Sequence, residues 1–152
     1  MGFLRRHAYF FHRPAPTPVP VPAPAPTPAP VPTPDSTGVV AALNVERARY
    51  QLAPLREDAR LTQTAEAWAG VMARRNVLDH GDFSGRIASV YPNTAAAENI
   101  AEGASTVSGV VTMWMTSPPH RANTLGPYTI AGSGRATAAD GTVYWCVDFD
   151  TP

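Results

Sequence analysis

Three polar side chains in this chain have types and settings suited to chemistry: His80, Glu98 and His120. His80 lies in Leu78-Asp79-His80-Gly81-Asp82, Glu98 in Ala97-Glu98-Asn99-Ile100-Ala101, and His120 in Ser117-Pro118-Pro119-His120-Arg121. An imidazole titrates near neutral pH, so either His can act as acid, base or metal ligand. Two His and a carboxylate also suffice for a three-ligand zinc site that keeps one position open for water. The interval from His80 to His120 matches no compact metal motif such as HExxH. On spacing alone the bland alternative stays open, in which each residue makes only a structural hydrogen bond. Asp79 and Asp82 flank His80 and either orient it or cap turns, the turn role being the commoner.

Other chemistries find no support. Gly132-Ser133-Gly134 lacks the GxSxG form and no helix follows it, so it reads as a place where a neighbouring segment comes close. Ser117 precedes His120 by three residues, but no acid is placed by sequence to complete a triad. There is no Walker or GxGxxG loop, and no Lys to form a Schiff base. Trp68, Trp114 and Trp145 fall on apolar periodicities and read as core anchors. The single cysteine, Cys146, excludes an intramolecular disulfide and a Cys-rich zinc site. In its strand-like run it reads as a small buried apolar residue.

The elements that must position these residues are legible. Ser36-Thr37-Gly38 can cap a helix running to about Tyr50, which Ala53-Pro54 ends. Asp58 caps a second helix, Ala59 to Asn76, with Leu61, Ala65, Trp68 and Met72 along one stripe. Ser84 can cap a short helix through Ile87 and Val90. Ala97 to Ala101 is a candidate strand. Thr106 can cap a helix that buries Val107, Val110, Val111 and Trp114, stopped by Ser117-Pro118-Pro119. Thr129–Thr137 and Thr142–Phe149 form a hairpin about Asp140-Gly141. In its second arm Val143, Trp145, Val147 and Phe149 face one way, with Tyr144, Cys146 and Asp148 opposite. Helices followed by an antiparallel hairpin argue for an α+β fold with helices covering a sheet.

The chain has 152 residues, enough for one domain. Residues 1–13 form a basic, aromatic head without a standard signal peptide, and no apolar run is long enough to cross a membrane. From Pro14 to Pro34 every second residue is Pro. Such a tract is a stiff polyproline II spacer, able to reach about 65 Å at ~3.1 Å per residue. Residues 35–152 form the domain. Net charge is zero, with three Arg in residues 1–34 and nine Arg against twelve acids beyond. That balance argues against a nucleic-acid partner.

Several separated motifs in this order resemble the CAP (SCP) domain of cysteine-rich secretory, antigen 5 and pathogenesis-related 1 proteins. They are Leu43-Asn44 with Glu46-Arg47, then Leu52-Ala53-Pro54-Leu55, then Leu61, Ala65, Trp68 and Ala69, then His80. AENIAEG at 97–103, Trp114, SPPHRANTL at 117–125, Gly132-Ser133-Gly134 and Tyr144-Trp145…Phe149 complete the series. The likeness covers nearly all of 38–150 and is nearest to the short bacterial branch without disulfides.

The resemblance implies a three-layer α-β-α sandwich around a central antiparallel sheet. It also implies a cleft of two His and two acids that binds zinc or another divalent cation in some members. His80, Glu98 and His120 match three of those four positions. Ser117 stands where animal and plant members place the second cleft Glu, so any Zn²⁺ is expected to be weakly held. The resemblance further implies an extracellular or cell-surface module, expected as a monomer, with a lipid, peptide, glycan or protein as partner. A hydrolase of peptide or cell-wall bonds, using the same three residues catalytically, is the alternative. A purely structural adhesin is the third reading.

Overall fold

The computed structural model describes residues 38–152; the head, the Pro-rich spacer and the expected cap residues Ser36 and Thr37 lie outside the described residues. Five helices and four strands follow in the order α1 (Val39–Arg49), β1 (Arg56–Glu57), α2 (Ala59–Arg75), α3 (Phe83–Ala88), β2 (Ala95–Glu102), α4 (Val107–Thr116), α5 (Pro118–Thr124), β3 (Ile130–Thr137) and β4 (Val143–Thr151). The strands form one sheet in the order β1-β3-β4-β2. β2, β3 and β4 are antiparallel, and the two-residue β1 joins β3 in parallel. Helices cover both faces, giving the three-layer α+β sandwich.

The alternation along β4 decides which helix sees which residue. Val143, Trp145, Val147 and Phe149 pack with Val39, Val40 and Leu43 of α1 and with Val110, Val111 and Trp114 of α4. Tyr144 and Cys146 pack on the other face with Ala65, Ala69 and Met72 of α2. Leu61 and Met72 of that helix are fully buried, each contributing about 2 kcal/mol by leaving water.

Helix α2 can lie this close because Gly132 and Gly134 have no side chain. A Cβ on Gly132 would stand 2.0 Å from the Thr62 nitrogen, and one on Gly134 would stand 2.3 Å from the Ala65 carbonyl carbon. The glycines thus set the spacing of one helical layer, the role the sequence suggested for them.

Helix starts follow local chemistry. Asp58 accepts from the Arg60 and Leu61 amides, and Thr106 accepts from Gly109. α3 is capped earlier than expected, by Asp82, whose carboxylate accepts from Gly85 rather than Ser84 serving that role. Gly38 stands at the start of α1 with φ 100° and no side-chain cap. Ser117-Pro118-Pro119 does end α4, and it also begins α5. Pro fits a first helical turn because its missing N–H has no partner there anyway. His120 therefore sits in the first turn of a helix that the sequence reading did not include.

β2 is an edge strand, and donors from the helices cover part of its outer rim. Trp114 Nε1 donates to the Ile100 carbonyl at 3.2 Å, and Asn123 Nδ2 donates to the Glu98 carbonyl at 3.2 Å. Arg47, only 2 % exposed, donates to the carbonyls of Ala53, Thr124, Gly126 and Tyr128. It ties the loop after α1 to the loop after α5.

Candidate functional site

The His80 loop, between α2 and α3, is held by three neighbours. Trp68 Nε1 donates to the Asp79 carbonyl at 2.8 Å. Gly81 adopts φ +53° against the Trp68 ring, where a Cβ would stand 2.4 Å from the ring. Arg86, from α3, completes that arrangement: its guanidinium lies 3.9 Å from the Trp68 ring centre and donates to the His80 carbonyl at 2.8 Å. Trp68 is thus partly exposed and clamps the loop, while also packing against the cluster of Ala65, Ala69 and Met72 as its periodicity suggested. Asp79 and Asp82 accept from the Gly81 and Gly85 amides, the turn role expected of them.

Glu98 comes up from the middle of β2, with its side chain 1 % exposed. Its Oε1 meets His80 Nδ1 at 2.7 Å. Its Oε2 receives Arg86 at 2.5 Å and the Cys146 thiol at 3.2 Å. A carboxylate already receiving a guanidinium acts as acceptor, so His80 presents Nδ1–H to it. That leaves Nε2 as the unprotonated nitrogen in the neutral ring. The His80 side chain is 53 % exposed, so Nε2 is open to a ligand, and it has no partner among the described residues. Glu98 stands behind His80, not beside it.

His120 is placed by Asn99, which is fully buried on β2. Asn99 Nδ2 donates to the His120 carbonyl at 2.9 Å, and its Oδ1 receives Asn123 Nδ2 at 2.9 Å. The neighbouring strand residues Glu98 and Asn99 therefore hold the His80 ring and the His120 backbone. Burial lowers the His120 pKa, and the nearby charge of His80 lowers it further. The structure thus joins His80 to Glu98 and sets His120 near enough to feel the charge of His80, while the ligand atoms of the three do not all lie within 4.8 Å of one another. Ser117 stands at the start of α5 and lines a pocket beside His120, so no carboxylate occupies the fourth place.

Two residues missed from sequence complete the site. Asp148 is directly across from Glu98 in the β2–β4 ladder, and Cys146 lies two residues before it on the same face. Both are fully buried. Burial, then the charge of Glu98, raise Asp148 to about 8. Burial likewise pushes the Cys146 thiol well above its usual value.

Glu98, Cys146 and Asp148 place ligand atoms within 4.8 Å of one another, a spacing that can hold a metal. The chemistry of that set fits a cation poorly. Arg86 already lies on Glu98, and the thiol and Asp148 both resist losing their protons. His80 is the better prepared ligand, since a buried carboxylate orients its half-exposed ring.

Comparison with known proteins agrees with this architecture. The family model described as the cysteine-rich secretory protein family, CAP, matches residues 40–149. The protein YkwD of Bacillus subtilis (strain 168) is 36 % identical over 103 residues, covering 63 % of this chain. The chain spans 40 % of the length of that relative. Among solved structures, an outer surface protein from Borrelia burgdorferi shares 21 % identity at a TM-score of 0.68, covering 74 % of this chain and 89 % of its own. An extracellular SCP-domain protein from Bacillus anthracis shares 23 % identity at a TM-score of 0.68, covering 78 % and 40 %. These likenesses show the fold. With the family model matching residues 40–149, nearly all of the described fold, this chain belongs to the cysteine-rich secretory protein (CAP) family.

Proposed function

We propose that this chain is an extracytoplasmic CAP module, carried on a Pro-rich spacer, that binds a ligand or partner through the cleft between His80 and His120. The observation that carries the reading is the half-exposed His80 ring, anchored at 2.7 Å through Nδ1 to a carboxylate that solvent does not reach. An imidazole held this way has a fixed orientation and a free Nε2, the arrangement that prepares a metal ligand or a base. A divalent cation such as Zn²⁺ would be held by His80 and His120, with Glu98 orienting His80 and water filling the remaining positions. With no acid at Ser117 the affinity is modest. The bound cation would supply a Lewis acid to the cleft. Location outside the cytoplasm is supported by the similarity to an outer surface protein and an extracellular protein.

A hydrolase is the second reading, favoured by the same Glu98–His80 pair. Here His80 Nε2 would take a proton from water, with Glu98 stabilising the charged ring.

Calorimetric titration of the full chain with Zn²⁺ tests the first reading. One equivalent should bind at micromolar concentrations, and the His80→Ala/His120→Ala variant should bind none. Unchanged binding in the double variant, or none in the parent, contradicts it.

A further inference from the structure

A pocket of about 220 Å³ opens beside His120, at the outer edge of β2. Leu78 from the His80 loop and Met113 from α4 form its two walls, and both are unusually exposed for large apolar residues, at 40 % and 43 %. Ile100 and Trp114 contribute to its apolar lining, and Glu102 stands at its rim. It is smaller than the 300–1,000 Å³ or so of sites for drug-sized ligands, and suits one large side chain.

The backbone beside it is unfinished. Gly103 N–H donates to the Val143 carbonyl, so the odd-numbered residues of β2 bond to β4. The even-numbered residues Glu98, Ile100 and Glu102 then turn their backbone groups away from β4. Asn123 and Trp114 take the carbonyls of Glu98 and Ile100. The N–H groups of Ile100 and Glu102 have no partner among the described residues. Two outward N–H groups spaced along an edge strand, beside a one-residue apolar pocket, are the elements of recognition by strand addition. The charge balance of residues 35–152, nine Arg against twelve acids, and the Glu102 carboxylate favour a basic partner.

We propose that the outward N–H groups of Ile100 and Glu102 and this pocket capture an extended peptide, whose carbonyls accept from those two N–H groups, whose large apolar side chain enters between Leu78 and Met113, and whose neighbouring Lys or Arg meets Glu102. This deepens the cleft reading by naming its ligand class and rests on it only for what happens at His120. The peptide backbone leaving the pocket passes the His pair.

The test uses fluorescein-labelled heptapeptides Ala-Ala-Lys-X-Ala-Ala-Ala, with X as Leu or Ser, and a set with Glu in place of Lys. Anisotropy should show the Leu peptide binding about tenfold more tightly than the Ser peptide, equivalent to about 1.4 kcal/mol. Leu78→Glu and Met113→Glu, both at exposed positions, should each erase that difference. Glu102→Gln should erase the preference for Lys over Glu. Saturating peptide should move the amide resonances of Ile100 and Glu102. Capture by the parent chain should persist when divalent cations are removed with EDTA. No binding of any peptide up to about 2 mM, a Leu preference that survives Leu78→Glu, or unmoved Ile100 and Glu102 amides would overturn the proposal. Zinc binding without peptide binding sinks this inference alone, and peptide binding without zinc sinks the metal reading alone.

Discussion

Glu98 and Asp148 lie directly across from one another in the β2–β4 ladder, and both carboxyl groups are buried. They form a non-hydrogen-bonded pair of the antiparallel ladder, the kind in which side chains stand closest. Arg86 and His80 are both spent on Glu98. Asp148 Oδ2 has no donor among the described residues. A proton on Asp148, shared toward Glu98, resolves this, because a neutral acid can donate where a second carboxylate would only repel. The His80 anchor thus depends on a protonated acid one layer below it.

The protonated acid makes stability fall with pH. Asp148 holds its proton to about 8 in the native state, while the unfolded chain releases it near the ordinary value of 3.8. Between those limits the native state binds the extra proton, so this contribution is fully present below pH 4 and is lost as pH rises toward 8. Asp148→Asn keeps the shape and removes the titration. Urea midpoints at several pH values should fall less steeply in the variant than in the parent, and the variant should be the more stable near pH 8. Parallel pH profiles would contradict the assignment.

Arg86 should matter out of proportion to its place on a short surface helix. It holds Glu98, the His80 carbonyl and the Trp68 face at once. Arg86→Met leaves a buried carboxylate without its cation, at a cost of about 3 kcal/mol. Because the His80 loop loses two of its ties, Zn²⁺ affinity should drop although Arg86 is no ligand. Denaturant unfolding and zinc titration on one preparation check both effects.

Gly134→Ala addresses the architecture. The added methyl meets the backbone of Ala65, which cannot move aside as a flexible side chain can. The cost should exceed about 3 kcal/mol, with α2 pushed from the sheet. Thermal unfolding of Gly134→Ala beside the mild control Gly141→Ala, whose site is open although its φ of +90° is strained, separates crowding from backbone strain.

Much of this was readable from residue order. The stripe Leu61, Ala65, Met72, the caps Asp58 and Thr106, and the alternation along Val143–Phe149 gave the layers, because local periodicity reports burial directly. His80, Glu98 and His120 stood out through their motifs, and the structure joins the first two directly. Asp148 was not. It sits fifty residues after Glu98, and only the strand register brings them together. Asn99 was hidden likewise, since a buried amide that supports a helix looks like any polar strand residue until α5 is packed on it. Pro118-Pro119 ended α4 as read, but α5 was missed for a different reason: the pair that ends one helix suits the first turn of the next. Cys146 did prove buried, and its thiol is also a donor to Glu98.

The central claim is that Glu98 fixes His80 with Nε2 turned to the cleft beside His120. Nitrogen-15 NMR of the imidazole rings tests it most directly, since the two tautomers differ in which nitrogen carries hydrogen. In its neutral form the His80 ring should carry its hydrogen on Nδ1, and Glu98→Gln should disturb that preference. One equivalent of Zn²⁺ should shift His80 Nε2 together with the His120 ring. An Nε2–H tautomer at His80, or rings that zinc leaves unmoved, would contradict the account.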